Sequence, residues 1–296
     1  MRSSPGAKAF PYLMIAPTLL FLGVFVIYPL AQGLWMSLFS RGLVASHAIA
    51  SLRPVFVGLR NYAQLLHDPS FLHALLRTLV FAGVAVPLII AVSLMLAIFL
   101  RQRFPLSPVV RAIVYWPAMV SLIIVGIVWK WLLGFNSGMI NYLAALLGLA
   151  PVPWLLNYTL ANLMVILVWV WANTGFYMVI FIAGLDAIPA EYYEAAWVDG
   201  ATRWDAFWRI TVPMLRPTTL IVLVLASINA FKIFELVYSL TGGGPGDATV
   251  YMVQNIYDTA FSQPRAAGVA AAQSGVLFVI LMILTLVQMR YRGDPS

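Results

Sequence analysis

The sequence predicts an all-α membrane protein with about six transmembrane helices. Three observations carry this. Of 296 residues, 62% are hydrophobic and 9% charged, and mean hydropathy is +0.93; a soluble domain carries about 25% charged residues. The apolar residues fall in blocks long enough to cross a bilayer core, which takes about 20 residues per helix. The charged residues gather at block ends and in one loop. Disorder is excluded, because it needs low hydrophobicity and high charge. With no cysteine there is no disulfide framework, thiolate metal site or cysteine nucleophile. A net charge of +7 would suggest nucleic acid in a soluble chain. Here the placement of the charges matters more than their sum, and no nucleic-acid partner is expected.

Six segments meet the length requirement: about Pro11–Leu38, Leu75–Leu100, Pro108–Leu133, Tyr158–Ala183, Pro217–Leu240 and Gly268–Met289. The first follows Arg2 and Lys8 as a signal peptide would. Its apolar run is too long for a signal h-region and no small-x-small site follows directly, so it reads as an uncleaved span. With the N-terminus inside, the inner segments hold Arg2, Lys8, Arg101, Arg103, Arg111, Arg203, Arg209, Arg216, Arg290 and Arg292. The outer ones hold Arg41, Arg53, Arg60, Arg77, Lys130 and Arg265. Ten cations against six favour an N-in, C-in chain, although Arg41, Arg53 and Arg60 in the first outer loop (about 39–74) run against the rule. The whole chain, 1–296, reads as one transmembrane domain.

The loop of about 186–216, between spans four and five, holds Asp186, Glu191, Glu194, Asp199, Arg203, Asp205, Arg209 and Arg216. It reads as two short helices in the cytoplasm. Pro189 suits a first helical position, and Glu191 and Glu194 suit the positive end of the dipole. Tyr193, Ala196 and Trp197 share one apolar face. Asp199-Gly200 is a stop signal. Thr202 with Asp205 three residues on is close to a capping box, and Trp204, Phe207 and Trp208 share a side of the second helix. Pro213 and Pro217 end it and lead into span five. Such a pair either lies on the membrane surface or docks a cytoplasmic partner.

Glu194-Ala195-Ala196, then Gly200, then Ile210-x-Val212-Pro213 resembles the EAA motif of permease subunits of binding-protein-dependent ABC importers, with Val212 where leucine is usual. Asp199-Gly200-Ala201 and Phe207 resemble the carbohydrate-uptake form. So do Val57-Gly58-Leu59-x-Asn61-Tyr62, Gly138-x-Ile140-Asn141 and Gly175-Phe176-x-Met178, in that order along the chain. Thr241-x-Gly243-Gly244-Pro245 resembles the maltose-type first permease subunit. The resemblance implies that Glu194, Ala195, Ala196, Asp199, Gly200, Ala201, Ile210 and Pro213 shape a coupling helix that docks on an ATPase dimer. It also implies a second permease, an extracytoplasmic substrate-binding protein and the cytoplasmic membrane of a bacterium or archaeon. ATP and Mg would sit on the partner ATPase.

No enzyme is read from the residues. The phosphate-binding motif G-x-x-x-x-G-K-[ST] is absent. The glycine-rich stretch Thr241–Asp247 lacks its lysine and reads as an outer turn. His47, His67 and His73 fall in the first outer loop with only Asp68 near, which does not make a metal site. No catalytic residue, metal or bound cofactor is expected.

Ionisable residues within spans cost about 2.5–3.5 kcal/mol each on insertion scales. Lys232 and Glu235 are the clear cases. On a continuous helix they share a face, as an internal ion pair or as pathway lining, with Asn229 one turn earlier. In span four, Trp169, Asn173 and Tyr177 recur at i, i+4, i+8. That stripe fits sugar recognition by amides and flat rings, or helix packing. Gly268-x-x-x-Ala272 in span six permits close helix packing. The sequence therefore reads as half of the alternating-access pore of an ABC importer for an oligosaccharide or other sugar. A glycerol-3-phosphate importer stays open through Lys232. A stand-alone secondary transporter would need repeat symmetry that is not visible.

Overall fold

The computed structural model describes residues 5–44, 51–102, 105–262 and 266–290. Arg2, His47, Arg103, Arg265 and Arg292, used in the reading above, lie outside them, as does the side chain of Lys8.

In chain order the helices are α1 (Pro5–Leu22), α2 (Tyr28–Met36), α3 (Arg60–Leu65), α4 (Pro69–Arg101), α5 (Ser107–Tyr115), α6 (Leu122–Leu132), α7 (Met139–Leu146) and α8 (Tyr158–Asp186). Then follow α9 (Ala190–Val198), α10 (Arg203–Ala206), α11 (Val212–Met214), α12 (Arg216–Phe231), α13 (Glu235–Leu240), α14 (Met252–Ser262) and α15 (Ala267–Arg290). Strands β1 (Phe39–Val44) and β2 (Ser51–Phe56) form an antiparallel pair between α2 and α3, Phe39 opposite Phe56. Among the described residues, four stretches are long and apolar enough to cross a membrane: Met14–Met36, α4, α8 and α15.

The other two expected spans are broken. The segment Pro108–Leu133 is two helices bent by 99°. Pro117 cannot donate a backbone hydrogen bond, Trp116–Met119 tightens into a 3-10 turn, and Val120 is extended at ψ 139°. The segment Pro217–Leu240 breaks at Lys232–Phe234, where α12 ends and α13 begins. A 63° bend separates Arg203–Met214 from α12.

Two π turns, Gly23–Ile27 and Phe207–Thr211, share one cause. Each is followed by one residue and then proline, Tyr28-Pro29 and Val212-Pro213. A proline in a helix lacks the N–H and crowds the carbonyl four residues back. Widening the ladder relieves this: Tyr28 N–H donates to Gly23 O and Val212 N–H to Phe207 O.

The chain divides into two compact units. In the first (1–72 and 256–279), Asn61 donates to the carbonyls of Ser37 and Phe39 at 2.7 and 3.0 Å, and the Tyr62 hydroxyl meets Ser37 Oγ at 2.7 Å. The Phe39 carbonyl would lie 1.8 Å from a Cβ at Gly268, so only glycine fits. In the second unit (73–255 and 280–296), α8 is central; Trp169, Tyr177, Met178 and Phe181 are all fully buried. Gly175 lets α8 press on the backbone at Val114, whose oxygen would stand 2.3 Å from a Cβ. The sequence showed this glycine only as part of a resemblance; its physical reason is that contact.

Candidate functional site

The loop between α8 and α12 folds as the expected two limbs. Pro189 is the residue before α9 rather than its first residue, with ψ 136°. At the other end of α9, Gly200 N–H donates to Trp197 O at 3.1 Å and Ala201 N–H to Ala196 O at 2.9 Å. This pair of bonds is a Schellman C-cap. It accounts for the spacing of the motif: Ala196 supplies the accepting carbonyl, and Gly200, at φ +80°, supplies the left-handed turn. A Cβ at Gly200 would meet nothing within 4 Å, so the requirement is conformational, not spatial.

The second limb opens with a complete capping box. Asp205 N–H donates to Thr202 Oγ1 at 3.2 Å, and Thr202 N–H donates to the Asp205 carboxylate at 3.0 Å. The hydrogen bonds from the Thr202 side chain and backbone hold the Asp205 carboxyl below its ordinary pKa. Tyr193 and Thr211 join the limbs through their hydroxyls, 2.9 Å apart. Ile210 sits in the π turn that Pro213 imposes.

The outer surface of the loop is exposed and aromatic: Tyr192, Trp197, Trp204 and Trp208 are each more than half exposed, and Val198 is 87% exposed. Glu194 is exposed and makes no ion pair among the described residues. A hollow of about 370 Å³ between the limbs is lined by Ala196, Asp199, Gly200, Ala201, Asp205 and Arg209, among others. The loop thus presents a carboxylate, a hollow and exposed rings, all on helices fixed by caps.

Two ion pairs mark opposite ends of α4. Arg101 donates to Asp186 at 3.0 Å and Arg77 to Asp247 at 2.7 Å. They are 24 residues apart on one helix, about 36 Å at 1.5 Å per residue. That is the thickness of a bilayer core and a little more. Arg77 also donates to the Tyr158 hydroxyl at 3.2 Å. Its hydrogen bond holds the Asp247 carboxyl below the ordinary value.

The residues expected along a pathway are rearranged by the structure. Lys232 closes α12 and Glu235 opens α13, with Phe234 between them at φ −147°. The helix break removes the shared face expected of them. Both are exposed, and no ion pair joins them. Trp169 and Tyr177 do not form an open stripe. They are 1% and 0% exposed, and the ring of Trp169 packs edge-on against Phe81. Asn173, between them, is half-buried and donates to Trp169 O at 2.8 Å within its own helix. Asn229 donates to the Tyr177 hydroxyl at 2.9 Å, so the two sets of residues meet. Trp171, also on α8, packs on Trp129.

Sequence reasoning missed the role of Asn141. It is 5% exposed. Its amide nitrogen donates to Val152 O at 2.9 Å and Phe135 O at 3.1 Å. Its oxygen accepts from Val152 N at 3.1 Å and Trp154 Nε1 at 3.0 Å. Among the described residues no three His, Asp or Glu side chains gather as a metal site.

Residues 62–293 match the family described as the binding-protein-dependent transport system inner membrane component. The chain is similar to the trehalose/maltose transport system permease protein MalF of Thermococcus litoralis, 36% identical over 96% of this chain and 94% of that one. It is also similar to the sn-glycerol-3-phosphate transport system permease protein UgpA of Brucella abortus, 32% identical over 96% of this chain and 94% of that one. Its fold matches a chain of a bacterial alginate ABC transporter crystallised with an alginate pentasaccharide-bound periplasmic protein. The TM-score is 0.82 at 24% identity, over 96% of this chain and 93% of that one.

Proposed function

Because the chain belongs to the family of binding-protein-dependent transport system inner membrane components, a multi-pass permease family of ABC importers, we propose that it forms half of an alternating-access pore for an oligosaccharide. A second permease completes the pore. A separate ATPase dimer, with ATP and Mg, drives it from the cytoplasm. A binding protein delivers the sugar from outside. The observation that carries this reading is the loop of residues 186–216. Its capped two-helix shape, its exposed Glu194 and its exposed rings suit docking on another protein. Exposed apolar groups on a rigid pair of helices are the means by which one helix is seated in a partner's groove.

The orientation is N-in and C-in. The excess of Lys and Arg in the segments then inside supports it, and Arg101 beside Asp186 and Arg77 beside Asp247 fit the arrangement of spans, since each pair unites residues assigned to one side of the membrane. The pathway runs past the break at Lys232–Phe234. Broken helices near the membrane centre are where transporters expose backbone and polar groups to substrate. Asn229, Lys232 and Glu235 are the exposed polar groups there. Tyr177 meets Asn229 through its hydroxyl, and Asn173 lies one turn before Tyr177 on α8, bonded to Trp169 O.

The resemblance to a trehalose/maltose permease supports a neutral sugar. Lys232 favours a second reading, an anionic substrate such as sn-glycerol-3-phosphate, which a relative's name carries. The test is ATP-driven uptake into vesicles holding the isolated complex and its binding protein. Trehalose or maltose should be taken up with little competition from sn-glycerol-3-phosphate. Uptake of the phosphate alone would select the second reading.

A further inference from the structure

A cleft of about 560 Å³ lies where the ends of α4 and α8 meet the two limbs of the coupling loop. Its lining joins apolar side chains (Ile98, Leu185, Phe207) and the half-exposed ring of Trp197 to two guanidinium groups, Arg101 and Arg203. The arginines come from separate elements, α4 and α10. Arg101 uses its Nε on Asp186 and keeps 35% of its side chain exposed. Arg203 is exposed and makes no ion pair among the described residues. Two cations against one carboxylate leave the cleft positive.

We propose that this cleft holds the phosphate headgroup of an anionic phospholipid of the inner leaflet, with its acyl chain along the half-buried Ile98 and Phe207. The assignment rests on the N-in orientation given above. A free anion would use the arginines but not the apolar wall; a lipid uses both. Basic pockets between spans on the cytoplasmic side are suited to anionic headgroups, and tryptophan suits headgroup depth. A headgroup held by both arginines ties the coupling loop to the end of α4, so lipid composition would act on coupling.

The test is native mass spectrometry of the chain, isolated in detergent with whatever subunits accompany it, delipidated and titrated with phosphatidylglycerol or phosphatidylcholine. The wild type should prefer phosphatidylglycerol. Arg203→Gln should weaken that binding about fivefold, Arg203→Lys should retain most of it, and Arg60→Gln should leave it unchanged. Arg203→Gln keeps the Thr202–Asp205 cap, and an unchanged melting temperature confirms folding. Arg101→Gln should act like Arg203→Gln. Equal binding of both lipids, or wild-type affinity in the arginine variants, would overturn the proposal. Displacement by millimolar inorganic phosphate would reassign the cleft to a free anion. The readout is lipid binding, so it stands even if no ATPase accompanies the chain.

Discussion

The Tyr193 and Thr211 hydroxyls meet 2.9 Å apart across the loop of residues 186–216, and Thr211 Oγ1 also lies 3.4 Å from Ala206 O. Thr211 is 5% exposed and sits in the π turn that leads through α11 to α12. A force on α9 therefore reaches the span by a side-chain bridge as well as along the chain. Tyr193→Phe keeps the ring and removes one hydrogen bond worth about 1 kcal/mol. Substrate-stimulated ATP hydrolysis by the isolated complex should fall severalfold with its subunits still assembled. Unchanged stimulation would remove the bridge from the mechanism.

Gly200 is needed for its φ of +80°, since a Cβ there would meet nothing. Gly200→Ala should cost about 1–2 kcal/mol in the loop. Gly200→Asn should cost less, because asparagine tolerates the left-handed region. ATPase recovery with the tagged chain should rank wild type, Asn, then Ala. Equal recovery in all three would mean that the turn does not set docking.

Asn141→Ala should be a folding defect. It leaves Val152 N and Trp154 Nε1 without their acceptor, at about 1–3 kcal/mol for each buried group left unpaired. Expression and melting temperature should fall while any protein that folds transports normally. Asn141→Asp, which restores the acceptor alone, should recover part of the loss.

Arg77 and Asp247 should show a coupling of roughly 1 kcal/mol or less in a double-mutant cycle on thermal stability, as their side chains are 15% and 66% exposed. The Asp247 pKa is depressed by the hydrogen bond from Arg77. Its contribution is therefore complete above the ordinary value of 3.8 and lost as pH falls through its own lower value. The coupling should be flat from neutral pH to about pH 5 and vanish in stronger acid. A coupling lost near neutrality would contradict the pair.

Much of this fold is legible in the sequence, because length and hydropathy decide what can cross a membrane. Four spans follow from apolar runs, and the two limbs of the 186–216 loop from Pro189, the Asp199-Gly200 stop and the Thr202–Asp205 spacing. The breaks are less legible. Pro117 sits in an apolar run where proline alone does not settle between a kink and a stop, and nothing in Lys232-Ile233-Phe234 announces one. The Trp169–Asn173–Tyr177 periodicity was visible, but which side of α8 is buried depends on Phe81 and Asn229, far away in the chain. Helix α14, between spans five and six, is too short for a hydropathy signal. The β1–β2 ladder is set by its pairing and by contacts of the strand ends, such as Phe39 with Phe56.

The most direct test of the account is to purify this chain from its native membrane by an affinity tag and identify every protein that accompanies it, with the wild type beside Glu194→Ala. The account predicts an ATPase subunit and a second permease with the wild type, and loss of the ATPase but not of the permease with the variant. A chain that purifies alone and moves solute without ATP would contradict it.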